Sequence, residues 1–228
     1  MQESRRTNAE RTRATRSALV AAARELFVTR GYAATSTPQI ATAAQVTRGA
    51  LYHHYADKQD LFRAVADAEA AAVAREIEDR TGPADGLLPT THLDARDLLV
   101  EGARAYLDAM SAPGRTRLLL VDAPAVLGGT EADALDARHA RRTLRDGLAA
   151  ALAPGDATTR PGTAAAPDPS PDATADLAAD DRLDALTLLL SAAFDRAALA
   201  IESGAAERPV REAVTELVDR VCAPRPTR

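Results

Sequence analysis

The chain has 228 residues, 46% of them hydrophobic and 27% charged, with a formal net charge of -5. That length suits one large domain or two small ones with a real core, and no apolar run approaches the ~20 residues that would span a bilayer. The single Cys222 cannot close an intrachain disulfide and the polar start MQESRRTNAERTRATRS lacks the apolar centre of a secretory signal, so the expected setting is a reducing cytoplasm with no membrane partner.

Charge is unevenly spread. Residues 1–60 hold nine basic side chains against five acidic ones, a balance of +4 that leaves -9 for the remainder. A phosphate backbone attracts such a head and repels such a body, which orients the molecule on a nucleic acid before any specific contact forms. Residues 1–12, with Arg5, Arg6 and Arg11, read as a flexible basic arm; with Arg13 they can reach phosphates or a minor groove, or serve only as a tail adding salt-dependent affinity.

From Arg13 to Arg30, Leu19, Ala22, Ala23, Leu26 and Phe27 recur at helical spacing, and Gly31 follows as a stop. Next comes STPQIATAAQVTRGALYHHYADKQDLF, from Ser36 to Phe62. Either Ser36 caps a helix through a Ser-x-x-Gln box with Gln39, or Thr37 caps it with Pro38 in the first helical position. Ile40, Ala41 and Ala44 give that helix an apolar stripe, and Ala43 to Val46 make a connection short enough to force a sharp angle. Thr47 then caps a helix of about two turns whose Leu51 and Tyr55 face inward, while Gly49, Tyr52 and His53 fall on the opposite side. So short a helix is unstable alone and needs its neighbours. After Asp57 a further helix carries Leu61, Val65, Ala68 and Ala72 inward.

Periodicity places helices near 58–80, 94–111, 115–122, 131–153, 181–203 and 207–222, with breaks at Gly82-Pro83, Pro113-Gly114, Pro124 and Gly128-Gly129. Residues 154–179 are poor in large apolar side chains and read as a disordered loop. No strand pattern appears, so the expected class is all-α with about nine helices. Leu183, Leu186, Leu190, Phe194, Ala197 and Ile201 form a row in the penultimate helix that Leu188, Leu189, Ala193 and Leu199 widen; Val210, Val214, Leu217, Val218 and Val221 form another in the last. The excess is either core or a surface for a second copy. A two-fold dimer reading two half-sites of a palindrome favours the latter.

The ordering LVAAARELFVTRGYAATS, TPQIATAAQV, TRGALYHHYADKQDLF resembles the N-terminal domain of the TetR family of bacterial transcriptional repressors over roughly residues 13–70, and Leu118 to Gly128 is similar to a segment of one branch. The resemblance implies a helix-turn-helix DNA-binding domain at 13–57 and a helical effector-binding and dimerisation domain at 58–228. It implies a ligand-responsive repressor that holds a palindromic operator as a homodimer through its last two helices and lets go when a small molecule binds. In the family the helix after the recognition helix transmits that signal, here Asp57 to Arg80.

Carried over by position, Arg48, Gly49, Ala50, Tyr52 and His53 meet the major groove. Arg48 can donate two hydrogen bonds to a guanine edge or remain a solvated arginine; Gly49 and Ala50 let backbone approach bases; Tyr52 can reach a phosphate. Thr47 belongs to the same contact set. His53 and His54 point ~100° apart, so one can touch DNA while the other packs. Thr37, Gln39, the only lysine Lys58 and the backbone N–H groups opening the next helix can hold phosphates. Pocket candidates are the polar or bulky residues on apolar rows, Tyr106, Met110, Asp122, His139 and Phe194, each of which can equally be ordinary core or surface. With 3% aromatic residues the effector is expected to be apolar or amphipathic.

An enzyme is the main rival class. No Walker loop, Gly-x-Ser-x-Gly elbow, paired metal-ligand motif or Cys-His arrangement is present, and His53, His54, His92 and His139 are scattered, so neither catalysis, cofactor nor metal is expected. A second rival is an architectural DNA binder without a ligand; repression or activation depends on operator position, which the sequence does not contain.

Overall fold

All regular structure in the computed structural model, which describes residues 8–82, 94–153 and 173–223, is helical among those residues. Two units form. One takes the chain up to Val73 together with Met110–Ala137, the other takes Ala74–Ala109 and the chain from Arg138 onward.

The first unit opens with α1 (Asn8–Arg30), α2 (Thr37–Ala43) and α3 (Arg48–His54), followed by α4 (Lys58–Thr81), which runs on into the second. Helix α1 begins five residues before the start expected at Arg13, so residues 8–12 of the expected arm are helical; residues 1–7 lie outside the described residues. Leu19, Ala23, Phe27, Ile40, Leu51, Leu61, Phe62 and Val65 are buried in one core, and the rings of Phe27, Tyr32 and Phe62 meet at centroid distances of 5.2–5.5 Å. Each short helix supplies one or two of these anchors, so α2 and α3 are held by their neighbours and not by their own length.

That core does not close with the first four helices. Leu118, Ala123 and Leu135 are buried in it, with Leu119, Val126, Leu127 and Ala132 packed against it. They come from a π-helical turn at Leu118–Asp122, which continues α6 (Arg115–Arg117), and from α7 (Ala123–Leu127) and α8 (Gly129–Arg138). The compact unit that contains these four helix starts thus reaches past residue 57, to Val73, and takes in Met110–Ala137. The π turn has a local cause: Pro124 has no N–H to donate and its ring would crowd the carbonyl of Leu120, and the widened turn before it, with Ala123 N–H bonded to the Leu118 carbonyl, admits it. Pro124 thus sits within a helical run that the sequence reading ended near 122. Gly114 is packed so closely that a Cβ there would stand 2.4 Å from Val28 Cγ1, at a φ of +73° that itself suits glycine.

Polar contacts fasten the same segment. Glu69 of α4 is 8% exposed and accepts from Arg24 at 2.8 and 3.1 Å and from Arg115 Nε at 3.0 Å. Arg24 also donates to the Pro113 carbonyl at 3.3 Å, Gln59 donates to the Val126 carbonyl at 2.6 Å, and Arg63 pairs with Glu131. Burial alone would push the Glu69 carboxyl up, but hydrogen bonds from Arg24 and then Arg115 outweigh it and hold the group below the usual glutamate range.

The second unit contains the end of α4 with α5 (Ala95–Met110, whose last residue belongs to the first unit), α9 (Ala140–Leu152), α10 (Ala173–Glu202) and α11 (Glu207–Cys222). The helix expected at 131–153 is two helices, parted at His139, whose φ of -119° and ψ of -103° are not helical. Helix α10 starts at Ala173, so residues 173–179 are helical and not part of a loop; residues 154–172 lie outside the described residues. Leu190, Phe194, Ala197, Val214 and Val218 are buried, whereas Leu188, Leu189 and Leu217 are 51%, 67% and 38% exposed.

Candidate nucleic-acid interface

Ser36 is the cap of α2: its extended backbone precedes the helix, and its N–H and hydroxyl donate to Gln39 Oε1 at 2.8 and 2.9 Å. Of the two possible frames, the Ser36 box is the one adopted. Gln39 therefore spends its carbonyl oxygen on the helix start. Between α2 and α3 the chain reverses at Gln45, which has a φ of +55°, and Val46 N–H bonds back to the Ala41 carbonyl at 2.9 Å. Thr47 Oγ1 then accepts the Ala50 N–H at 3.1 Å and caps α3.

This geometry fixes how α3 is rolled. Leu51 and Tyr55 are buried, and Arg48, Gly49, Tyr52 and His53 are exposed on the other side, with Ala50 and His54 half-buried at the flanks. A side chain at Gly49 would meet only Thr47 Oγ1, at 3.9 Å, so nothing in the protein itself demands glycine there. The Tyr52 hydroxyl and Thr37 Oγ1 share a hydrogen bond of 2.9 Å, which joins two residues expected to act separately into one polar pair. The two histidine rings stack edge-on at 5.2 Å, and Arg16 of α1 donates to the His54 carbonyl at 3.3 Å. Desolvation first, then His53 and Arg16, lower the pKa of His54 and favour its neutral form. Arg16 also lies 4.7 Å over the ring of Tyr55, whose buried hydroxyl has no hydrogen-bond partner among the described residues.

Lys58 differs most from a simple phosphate hook. Its ammonium donates to the carbonyls of Tyr32 at 2.9 Å and Thr35 at 3.0 Å and lies 4.1 Å from the Tyr32 ring centre. An ammonium has three protons, so one remains beyond those two bonds. Arginine's fixed planar fork would not suit two carbonyls and a ring face in the same way, which is a physical reason for the lone lysine in an arginine-rich chain. At the start of α4 the Asp60 N–H is already held by Asp57 Oδ1 at 2.7 Å, so the helix opening offers fewer free donors than expected. Thr37, Tyr52 and Lys58 nevertheless share one shallow surface concavity with residues 33–36 and Asp57.

The second unit holds a separate cavity of about 260 Å³. Ile77, Leu98, Leu99, Ala103, Leu144 and Phe194 supply its apolar wall. Two expected residues line it, Tyr106 and Phe194, with ring centroids 6.1 Å apart; the Tyr106 hydroxyl donates to Asp195. The other three do not. Met110 is buried in the first unit, where its carbonyl accepts from Thr116 at 2.8 Å; Asp122 lies 3.7 Å from Arg117; and His139 stands at the break between α8 and α9. Among the described residues, no group of three or more His, Cys, Asp or Glu side chains could hold a metal ion, and no helix is long and apolar enough to cross a membrane.

Comparison with known proteins accords with this layout. Residues 19–65 match the family described as bacterial regulatory proteins, tetR family, and residues 97–167 match a tetracyclin repressor-like C-terminal domain. The chain belongs to the TetR family. A TetR-family transcriptional regulator from Pectobacterium atrosepticum superposes with a TM-score of 0.58 at 26% identity, over 95% of each chain. A putative TetR-family regulator from a Rhodococcus species shares the fold with a TM-score of 0.62 at 17% identity, over 92% of this chain and 100% of the other. The transcriptional repressor BepR of Brucella suis is 44% identical over 61 residues, 27% of this chain and 29% of BepR. The regulator TtgR of Pseudomonas putida is 39% identical over 84 residues, 35% of this chain and 40% of TtgR. The chain thus spans less than half the length of these curated relatives.

Sequence reasoning missed most of the wall of the cavity in this TetR-family chain. Ile77, Leu98, Leu99 and Leu144 lie on ordinary amphipathic faces, and Gly102 and Gly147, which the sequence reading passed over, line the cavity with them. A Cβ on Gly147 would stand 3.2 Å from Leu99 Cδ1, so this glycine lets α9 approach α5.

Proposed function

We propose that the protein is a DNA-binding transcriptional regulator, a ligand-responsive repressor that grips a palindromic operator as a homodimer and lets go when a small molecule fills the cavity of the second unit. The roll of α3 carries this reading: its inward residues are buried, and a guanidinium, a glycine, a phenol and an imidazole share the solvent face. Arg48 reads a guanine edge, the Thr37–Tyr52 pair and the remaining Lys58 proton hold phosphates, and Gln39 and Thr47 contribute chiefly by fixing the helix starts. Gly49 and Ala50 keep the backbone close to the bases, and His53 is the histidine that faces DNA. Relatives named as repressors support the reading, and the exposed Leu188, Leu189 and Leu217 support pairing through α10 and α11.

The test is selection of duplexes from a random pool by the full-length protein, followed by titration at several salt concentrations. An enriched palindrome with half-site centres about one helical turn (34–36 Å) or a multiple apart is expected. Binding to any duplex with equal affinity, governed by salt alone, would instead mark an architectural protein.

A further inference from the structure

Resting on the reading of the cavity as the effector site, we infer that its ligand is a small organic cation: an apolar body of about ten non-hydrogen atoms carrying a protonated amine held by Asp146. The size follows from volume. An apolar cavity of roughly 150 Å³ takes benzene, and proportional scaling to the 260 Å³ here gives about ten heavy atoms.

The sign of the charge follows from the lining. Glu78 and Asp146 are its ionisable carboxylates, and among the described lining residues there is no Lys, Arg or His. Glu78 is already neutralised by Arg142 at 2.9 Å. Arg145, next to Asp146 in sequence, is taken up by Asp184 at 2.7 Å and Asp180 at 3.7 Å, so its charge is spent away from the cavity. Asp146 is exposed and stands on the cavity wall, where an entering cation can meet its carboxylate.

Of the four lining hydroxyls, beside that of Ser191, those of Thr81, Thr143 and Tyr106 donate to the Ile77 carbonyl at 2.9 Å, the Ala140 carbonyl at 2.7 Å and the Asp195 carboxylate. A carboxylate in the place of that amine would face the Asp146 carboxylate and meet no lining cation, a like-charge contact that disfavours it. A cation with its body against Phe194 and Tyr106 and its head at Asp146 makes no such contact.

Three near-isosteric probes separate the possibilities: 3-phenylpropylamine, 3-phenylpropanol and 3-phenylpropionate, each titrated against the full-length protein by calorimetry and against the protein–operator complex. The amine is expected to bind about tenfold more tightly than the alcohol, as for a charge-assisted hydrogen bond, and the propionate most weakly. The advantage should shrink with added salt and vanish in Asp146→Asn, whose substituted position is exposed and leaves the fold intact. Equal binding of all three, or an amine preference that survives Asp146→Asn, overturns the cation inference while leaving the cavity as the effector site. Absence of binding by every probe overturns the effector reading itself.

Discussion

At the residue scale the proposed DNA face rests on few side chains. Arg48 is exposed in the first turn of α3 and touches nothing needed for folding, so Arg48→Ala should leave the melting temperature within about a degree and remove discrimination between operator and scrambled duplex, at a cost of about 1–3 kcal/mol. Competition anisotropy would show it; unchanged discrimination would exclude Arg48 from the readout. Glu69 is the opposite kind of residue, remote from the DNA face and decisive for the fold. Removing it in Glu69→Ala takes away the carboxylate that the buried Arg115 and the half-buried Arg24 share and should destabilise by roughly 3 kcal/mol in urea unfolding. Because its carboxyl titrates below the ordinary glutamate value of about 4.3, its contribution is complete above that pH and is lost as pH falls through the lower folded-state value. The acid limb of a stability profile should therefore be flatter in Glu69→Ala than in the parent. The sequence displayed Arg48 plainly, since a helix cap and a short amphipathic helix set its direction. It hid Glu69, whose partners lie 45 and 46 residues away.

At the element scale the helices were legible nearly throughout, because period and caps are local. The failures are also local in origin. Pro124 looks like a terminator, yet a π turn absorbs it; His139 carries no breaker signal, yet the helix divides there. Gln45 is a non-glycine residue in left-handed backbone at the turn of the helix-turn-helix. Such a conformation strains a residue with a Cβ, so Gln45→Gly should raise stability by about 1 kcal/mol, less the entropy glycine gains in the unfolded chain. Thermal and urea unfolding check this, and a loss would mean that the Gln45 side chain does more than occupy the turn.

At the scale of the whole molecule, the proposed dimer rests on the outward leucines of α10 and α11. Leu189→Glu puts a charge at the most exposed of them and should convert the dimer to a monomer in light scattering. Operator affinity should drop at least a hundredfold, as single half-sites replace a palindrome, with helicity unchanged. A monodisperse dimer after that substitution would place the interface elsewhere. Sequence could suggest this surface because the apolar row was too wide for one neighbour. It could not reveal that Met110–Ala137 belongs with the head, since that depends on which faces of α1 and α4 are left uncovered.

The interleaving of the first unit has a consequence for synthesis. Emerging from the ribosome, α1 to α4 meet neither Leu118 nor Arg115 until more than half the chain has been made, so the head completes its core late. Grafting this head onto another regulator's body would require carrying residues 110–137 along with residues 1–73; a cut at residue 57 or 73 would yield a fragment with an open hydrophobic face.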